Sequence, residues 1–172
     1  KTSKVVEYGI EALKAVWHRG AVDADGKTGD GAGIHVEIPK DFFIEKIEVT
    51  GHKHDNSEIC VGMIFLPRND YAAQENCKTI VESELTKNDF SIYGWRQVPV
   101  NPKVLGEKAF QTMPEIIQVL FKSNNPDLLN KDLERKIYET RRIIENKAFQ
   151  ISLNNFYICS LSSKSIIYKG MF

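Results

Sequence analysis

A continuous apolar run from Ile59 to Leu66 constrains the fold of this chain more than any other feature of the sequence. Pro67 ends the run, which is short for a helix and of ordinary length for a strand. A strand that is apolar at every position has no face that favours water, and such strands lie in sheets that are covered on both sides. We therefore expect a buried central strand and at least one largely buried sheet.

Helices and strands alternate on either side of this run. Amphipathic spacing predicts helices over residues 3–18, 69–87 and 132–148, and a short helix over 41–46. Alternating or aromatic-rich stretches predict strands over 33–38, 90–98, 115–122, 156–161 and 165–169, the last two joined as a hairpin by a tight polar turn. Residues 101–115 contain two prolines and a glycine and are predicted to be irregular. The predicted fold class is α+β, in one domain that spans residues 1–172.

The composition limits the classes of partner. The chain has 23 basic and 23 acidic residues, and this balance gives no electrostatic reason to expect nucleic acid or an anionic membrane as a partner. No apolar run is long enough to cross a bilayer. Three cysteines at wide spacings argue against a disulfide framework and predict a reducing, cytoplasmic location. The start at Lys1 and the apolar end at Phe172 lead us to expect a segment of a longer polypeptide.

Residues 20–36 read GAVDADGKTGDGAGIHV and contain three incomplete motifs. A P-loop has four residues between its first two glycines, but five separate Gly20 from Gly26. A dinucleotide fingerprint fails because Gly33 comes one residue early, and a calcium loop fails because Lys27 occupies the third ligand position. A predicted helix precedes the loop and a predicted strand follows it, so a phosphate would find no helix N-terminus. We expect no metal here, and the simplest alternative is a glycine-rich turn with positive φ angles.

A more specific phrase overlaps this loop. HRGAVDADGKTGDGAGI resembles the N-terminal glutaminase domain of glutamate synthase large subunits, which are class II glutamine amidotransferases. Other members of that class carry a shorter phrase of the type RG-x-D-x-A-G. Here Arg19, Gly20, Asp30, Ala32 and Gly33 match its positions, with additional residues between the second and the third.

Two further stretches carry the same resemblance. They are GWRQVPVNPKVLGEKA at residues 94–109 and FYICSLSSKSIIYKGM at residues 156–171. The resemblance runs almost from end to end and is weakest at residues 120–150.

The resemblance implies a partial N-terminal nucleophile hydrolase fold, an αββα sandwich. In that family an N-terminal cysteine attacks the amide of glutamine, and its own amino group serves as the base. That cysteine would lie upstream of Lys1, and the Asn-Gly oxyanion hole and a substrate-binding arginine would lie beyond Phe172. We therefore expect no catalytic residue within this chain. We also expect no glutamine hydrolysis by the chain alone, because loss of one oxyanion donor typically costs ~10²–10³ in rate.

The resemblance implies that Arg19, Gly20, Asp30 and Gly31 bind substrate. A guanidinium can hold carboxylate or backbone oxygens in a fixed fork, and a glycine allows close backbone approach. Asp30 could orient either Arg19 or the turn. Without the resemblance, the preferred explanation of Arg19 is a cation that complements the dipole at a helix C-terminus; with it, a role in the substrate pocket is favoured.

The implied parent enzyme passes ammonia from glutamine to 2-oxoglutarate and forms a second glutamate. It would use FMN, an iron–sulfur cluster and NADPH or reduced ferredoxin, none of which we expect to bind in this segment. Its expected partners are glutamine, the remaining synthase domains of the same chain and a small reductase subunit. The alternative is a stand-alone, non-catalytic binding module on the same scaffold. Exposed sheet edges could also drive self-association.

Several other residues have both a functional and a structural interpretation. The phrase HKHD at residues 52–55 could bind a metal, but a solvated loop is the favoured interpretation. The three cysteines are expected to be buried and inert. Trp95 is expected in the core, the role of Arg96 is left open, and Gly94 indicates a bulge or a close backbone approach.

Overall fold

The computed structural model describes residues 3–170, which form five α-helices, six β-strands and two short 3-10 helices. The helices are α1 Ser3–Ala15, α2 Lys40–Val49, α3 Tyr71–Lys87, α4 Glu107–Thr112 and α5 Asn130–Gln150. The strands are β1 Ala32–Glu37, β2 Cys60–Leu66, β3 Phe90–Gln97, β4 Glu115–Ser123, β5 Tyr157–Ser162 and β6 Ser165–Gly170. The 3-10 helices are Trp17–Arg19 and Pro102–Val104. The predicted α+β class is confirmed.

The chain divides into two compact units. The smaller unit comprises the residues up to Ile34, Val100–Met113 and the residues from Tyr168 onward. The larger unit comprises His35–Pro99 and Pro114–Ile167. The smaller unit contains α1, both 3-10 helices, the glycine-rich loop and α4.

The larger unit is built on a four-stranded antiparallel sheet with the order β3-β4-β2-β5. The apolar run discussed above forms β2, which has a partner strand on each side and only one residue that is not fully buried. The prediction of a buried central strand is confirmed. Strands β3 and β5 are the edges of this sheet, and self-association through them stays a prediction.

Helices α3 and α5 contact each other and the sheet of the larger unit. Their apolar faces join residues of β2, β3, β4 and β5 in one hydrophobic cluster. Asp70 caps the start of α3, since its carboxylate accepts a hydrogen bond from the N–H of Ala73 at 2.9 Å. The period-3.6 pattern therefore correctly predicted the core-facing stripes of α3 and α5.

Helix α1 carries its apolar residues differently. The predicted stripe includes Val6, Ile10 and Trp17, which are 50%, 44% and 69% exposed within the part of the chain that the structure describes. The helix itself is confirmed, but it has no buried residue. Hydrophobic periodicity reports the face that can be covered and does not report what covers it.

Gly94 interrupts β3 in both of the predicted ways. Its φ of +149° accompanies a shift in the β3–β4 register between Ile92 and Gly94. A Cβ at this position would lie 3.0 Å from Cγ2 of Thr50. The bulge and the close approach therefore occur together.

Two predictions about local structure are wrong. Residues 101–115 are not wholly irregular, because they contain a 3-10 helix and α4. Strands β5 and β6 are joined by a short turn, but β5 pairs with β2 whereas β6 pairs with β1 in a separate two-stranded sheet. Sequence proximity suggested a hairpin, but partners distant in sequence determine both pairings.

None of the helices within residues 3–170 has the length and apolar character needed to cross a membrane.

Candidate functional site

The glycine-rich loop folds into a small antiparallel hairpin, here called the 20–31 hairpin. The N–H of Ala21 donates to Oδ2 of Asp30 at 2.9 Å, which closes the base. An isolated β-bridge joins Val22 to Gly29. Nearer the tip, the N–H of Asp23 donates to the carbonyl of Thr28 at 2.7 Å. These connections hold the two arms in one register.

The carboxylate of Asp25 organises the tip of the hairpin. It accepts hydrogen bonds from the Thr28 hydroxyl at 2.5 Å, from the Thr28 N–H at 2.7 Å and from the Lys27 N–H at 2.9 Å. These bonds, the Thr28 hydroxyl foremost, lower the pKa of Asp25 to about 2. Gly26 has a φ of +68°, a value that glycine adopts without strain. The tip is thus a carboxylate-stabilised turn.

The three incomplete motifs are accounted for by this geometry. The hairpin follows the 3-10 helix Trp17–Arg19 and leads into β1, so neither a P-loop nor a dinucleotide-binding turn is formed. Within residues 3–170 there is no group of three or more His, Cys, Asp or Glu side chains that could hold a metal ion. The expectation that neither an iron–sulfur cluster nor FMN binds in this segment stays a prediction.

The four predicted substrate-binding residues all lie at the base of the 20–31 hairpin. Arg19 is exposed at the end of its 3-10 helix, and its guanidinium has no hydrogen-bond or ion-pair partner among residues 3–170. Gly20 continues from it in an extended conformation, and Gly31 has a φ of +99°. Asp30 accepts a hydrogen bond from the Ala21 N–H, a contact consistent with the second of the two roles considered for it, the orientation of the turn.

An unpaired guanidinium beside an extended glycine is suited to binding a carboxylate. Its five N–H donors form a rigid fork that matches two carboxylate oxygens. Arg19 also lies near the C-terminal end of α1, so the dipole interaction considered from the sequence is compatible with this arrangement. The structure brings the four predicted residues together, and their role in binding stays a prediction.

A polar network in the larger unit surrounds the HKHD segment. Asp55 forms an ion pair with Lys122, accepts a 2.5 Å hydrogen bond from the Ser57 hydroxyl and lies 3.3 Å from the hydroxyl of Tyr93. The Lys122 hydrogen bond, more than any other contact, holds the pKa of Asp55 well below its usual range. His54 is bonded through Nε2 to the Ser57 carbonyl at 3.0 Å. Sequence reasoning missed Tyr93 and Lys122 because both are distant from this segment along the chain.

The three cysteines are buried free thiols, as predicted. Burial raises the pKa of Cys77 to about 11 and raises that of Cys60 further still. A thiol with a raised pKa forms little of the thiolate that acts as a nucleophile. Cys60 and Cys77 are therefore poorly suited to attack an amide.

Arg96 and Trp95 are structural within the larger unit. Arg96 donates from Nη1 to Oε1 of the buried Gln118 at 2.8 Å and stacks over the ring of Phe42. Trp95 is partly buried against the hydrophobic cluster, and its Nε1 donates to Glu82 at 2.6 Å. The expected placement of Trp95 in the core is thus met in part, and Arg96 gains a definite role in packing.

Comparison with known proteins identifies the family. The family model described as glutamine amidotransferases class-II matches residues 1–172. The chain belongs to the class II glutamine amidotransferases. Their N-terminal nucleophile hydrolase fold is the one that the resemblance implied.

The individual relatives that the chain resembles are glutamate synthases. The chain is 55% identical over 168 residues to the large chain of NADPH glutamate synthase from Azospirillum brasilense, a match that covers 98% of this chain and 11% of that protein. It is 40% identical over 169 residues to ferredoxin-dependent glutamate synthase 1 of Arabidopsis thaliana, covering 97% of this chain and 10% of that protein. A ferredoxin-dependent glutamate synthase from Pyropia yezoensis is also 40% identical, over 176 residues, with 98% of this chain and 11% of that protein covered. The chain thus spans about a tenth of the length of the curated relatives that it matches.

Proposed function

We propose that this chain is part of the glutaminase domain of a glutamate synthase. The domain would hydrolyse glutamine to glutamate and pass the ammonia to 2-oxoglutarate for reductive formation of a second glutamate. The observation that carries the proposal is the match to class II amidotransferases over the whole chain. It is supported by the exposed Arg19 at the base of the 20–31 hairpin, whose guanidinium has no partner among residues 3–170. A stand-alone module is not favoured, since the three relatives described above are each named as glutamate synthases.

Arg19, Gly20, Asp30 and Gly31 would form one wall of the glutamine site. Glutamine carries an α-carboxylate, which an exposed and unpaired guanidinium can bind in a bidentate manner. Gly20 is extended and has no side chain, so a substrate can approach its backbone closely. Asp30 would act indirectly, because its bond to Ala21 fixes the turn between Arg19 and the hairpin arms.

The nucleophile would be a cysteine upstream of Lys1. Its thiolate would attack the amide carbon of glutamine, and the breaking C–N bond would release ammonia and leave a thioester. Water would then hydrolyse the thioester to glutamate and regenerate the thiol. Cys60 and Cys77 do not compete for this role because their raised pKa values disfavour the thiolate.

The remaining features of the parent enzyme are inferences from the relatives. The names of these relatives specify NADPH or ferredoxin, so we infer a reduced donor of one of these two kinds. FMN, an iron–sulfur cluster and a small reductase subunit would belong to other parts of the polypeptide or the assembly. A cytoplasmic location also stays a prediction, and the spinach relative is named as chloroplastic.

The test is glutamate release from glutamine, measured for the 172-residue chain and for the gene-encoded polypeptide that starts at the upstream cysteine. We expect hydrolysis only by the longer polypeptide, and loss of hydrolysis when that cysteine is replaced by alanine. Hydrolysis by the 172-residue chain would show that a nucleophile within it is active. Absence of hydrolysis by the longer polypeptide would refute the proposed function.

A further inference from the structure

The tip of the 20–31 hairpin is held by a segment some eighty residues later in the same unit. Nζ of Lys108, in the first turn of α4, forms an ion pair with Oδ2 of Asp23 at 2.6 Å. The backbone just before α4 also lies against Asp25, since a Cβ built at Gly106 would be 2.5 Å from Oδ2 of that carboxylate. The start of α4 therefore contacts both carboxylates of the tip.

Gly106, immediately before α4, has no room for a side chain. A Cβ built there would lie 2.5 Å from Oδ2 of Asp25 and 2.6 Å from the backbone N of Thr28, and it would also overlap the Thr28 hydroxyl. The backbone of Gly106 has φ −68° and ψ 164°, values that any residue adopts. Glycine is thus required here by the proximity of the hairpin tip and not by backbone conformation.

Hydrogen bonds between the two arms of the 20–31 hairpin link its tip, which contacts Gly106, to the candidate site at its base. Thr28 is bonded to Asp23, Gly29 forms a bridge with Val22, and Asp30 closes the base on Ala21. A displaced tip would break this register or move the base with it. Arg19 and Gly20 adjoin that base, so their position depends on how the tip is seated.

We propose that Gly106 and Asp25 are positioning residues for glutamine binding, acting through the 20–31 hairpin on Arg19. The inference rests on the proposed function. Gly106 lets the start of α4 approach the tip, and Asp25 holds the turn against which the start of α4 packs. A misplacement of about 1 Å at a distance from the chemistry can lower an enzymatic rate by ~10²-fold. A small shift of the hairpin tip at Gly106 can therefore affect glutamine binding measurably.

The test compares two glycine-to-alanine variants in the full-length polypeptide. Gly106→Ala adds a methyl group where the hairpin tip lies, whereas Gly170→Ala adds one where no atom of residues 3–170 lies within 4 Å and φ is not positive. We expect Gly106→Ala to raise KM for glutamine by about tenfold or more, and Gly170→Ala to leave it unchanged. Glutamate synthesis from added ammonia needs no glutamine site, so it should be the same in both variants.

Two further measurements separate positioning from a general loss of structure. Thr28→Ala removes the hydroxyl that the new methyl group overlaps, so the double variant Gly106→Ala/Thr28→Ala should lose less than the product of the two single effects. Asp25→Asn should speed hydrogen exchange at the amides of Lys27 and Thr28, which donate to the carboxylate. It should also raise KM for glutamine, with a smaller change in kcat.

Each outcome separates this inference from the proposed function. If the unmodified polypeptide does not hydrolyse glutamine, the proposed function is wrong. If it does, and Gly106→Ala behaves like Gly170→Ala, only the positioning role is wrong. The positioning role is also wrong if Gly106→Ala lowers ammonia-dependent glutamate synthesis as much as glutamine hydrolysis and the effects of Gly106→Ala and Thr28→Ala simply multiply in the double variant. That result would indicate global destabilisation.

Discussion

Glu84 provides the sharpest test of how the larger unit is held together. Its side chain is 6% exposed on α3 and accepts hydrogen bonds from Lys147 of α5 at 2.7 Å and from Lys87 at 3.1 Å. The lysines are 43% and 63% exposed, so they keep much of their hydration while the carboxylate has lost nearly all of its own. The carboxylate therefore depends on these bonds more than the lysines do.

The magnitude follows from this asymmetry. Hydrogen bonds to charged groups contribute about 1.5–3 kcal/mol, whereas exposed ion pairs contribute about 0.2–1 kcal/mol. We expect Glu84→Ala to lower the free energy of unfolding by about 2–3 kcal/mol, and Lys147→Ala by about 1 kcal/mol because Lys87 still pairs with the carboxylate. A double-mutant cycle of Glu84 and Lys147 should give a coupling of about 0.5–1.5 kcal/mol.

Urea unfolding of the chain measures these values. Glu75→Ala is the matched control, because its carboxylate is 71% exposed and pairs with Lys78 within α3; it should cost less than about 0.5 kcal/mol. Hydrogen bonding from Lys147, foremost, lowers the pKa of Glu84 below its ordinary 4.5. Its stabilisation is therefore present above pH 4.5 and is lost as the pH falls through the lower, folded-state pKa. Equal costs for Glu84→Ala and Glu75→Ala would refute this reasoning.

Three further predictions concern other parts of the chain. The stabilising contribution of Asp25 should be complete above its ordinary pKa of 3.8 and should disappear as the pH falls from that value to about 2. Hydrogen exchange at the Lys27 amide measures this loss. Exchange that does not depend on pH in this window, after correction for intrinsic rates, would contradict the prediction. Gly94→Ala should cost about 1–3 kcal/mol in urea unfolding, because φ is +149° and Thr50 lies 3.0 Å from the new Cβ; a neutral effect would show that the bulge relaxes freely. Cys60 should resist alkylation at pH 8 in the folded chain and react after denaturation, and mass spectrometry that finds it modified in the native state would show that β2 opens.

The sequence was most informative where a single local pattern determined the structure. Strand β2 and helices α3 and α5 could be predicted without knowledge of distant partners. A strand buried on both faces and a helix buried along one stripe each leave a recognisable pattern of apolar residues in the local sequence. The bulge at Gly94 was likewise indicated by a lone glycine within an aromatic strand.

The sequence was least informative where distant residues complete an element. Helix α4 has only six residues, too few for a periodic pattern, and Lys108 in its first turn pairs with Asp23, about eighty positions earlier. Strands β5 and β6 adjoin in sequence, but each pairs with a strand distant along the chain. Tyr93 and Lys122 were missed around Asp55 for the same reason.

The candidate site combines both cases. The motif placed Arg19, Gly20, Asp30 and Gly31 in one short phrase, and the structure places them at one hairpin base. The bond from Ala21 to Asp30 depends on how the intervening residues fold back, which the phrase alone does not show. The dependence of that fold on Gly106 and Lys108 could not be read from the phrase itself.

Arg19 is the residue at which the proposed glutamine site is tested most directly. The measurement is KM and kcat for glutamine hydrolysis by the full-length polypeptide with Arg19→Ala, Arg19→Lys and the control Lys14→Ala, which removes a nearby exposed cation at the end of α1. Loss of a charged hydrogen bond worth about 1.5–3 kcal/mol predicts a rise in KM of about 10- to 100-fold for Arg19→Ala. Arg19→Lys should recover only part of this, since an ammonium group lacks the fork. An Arg19→Ala variant with the same KM as Lys14→Ala would contradict the assignment of this hairpin base to glutamine binding.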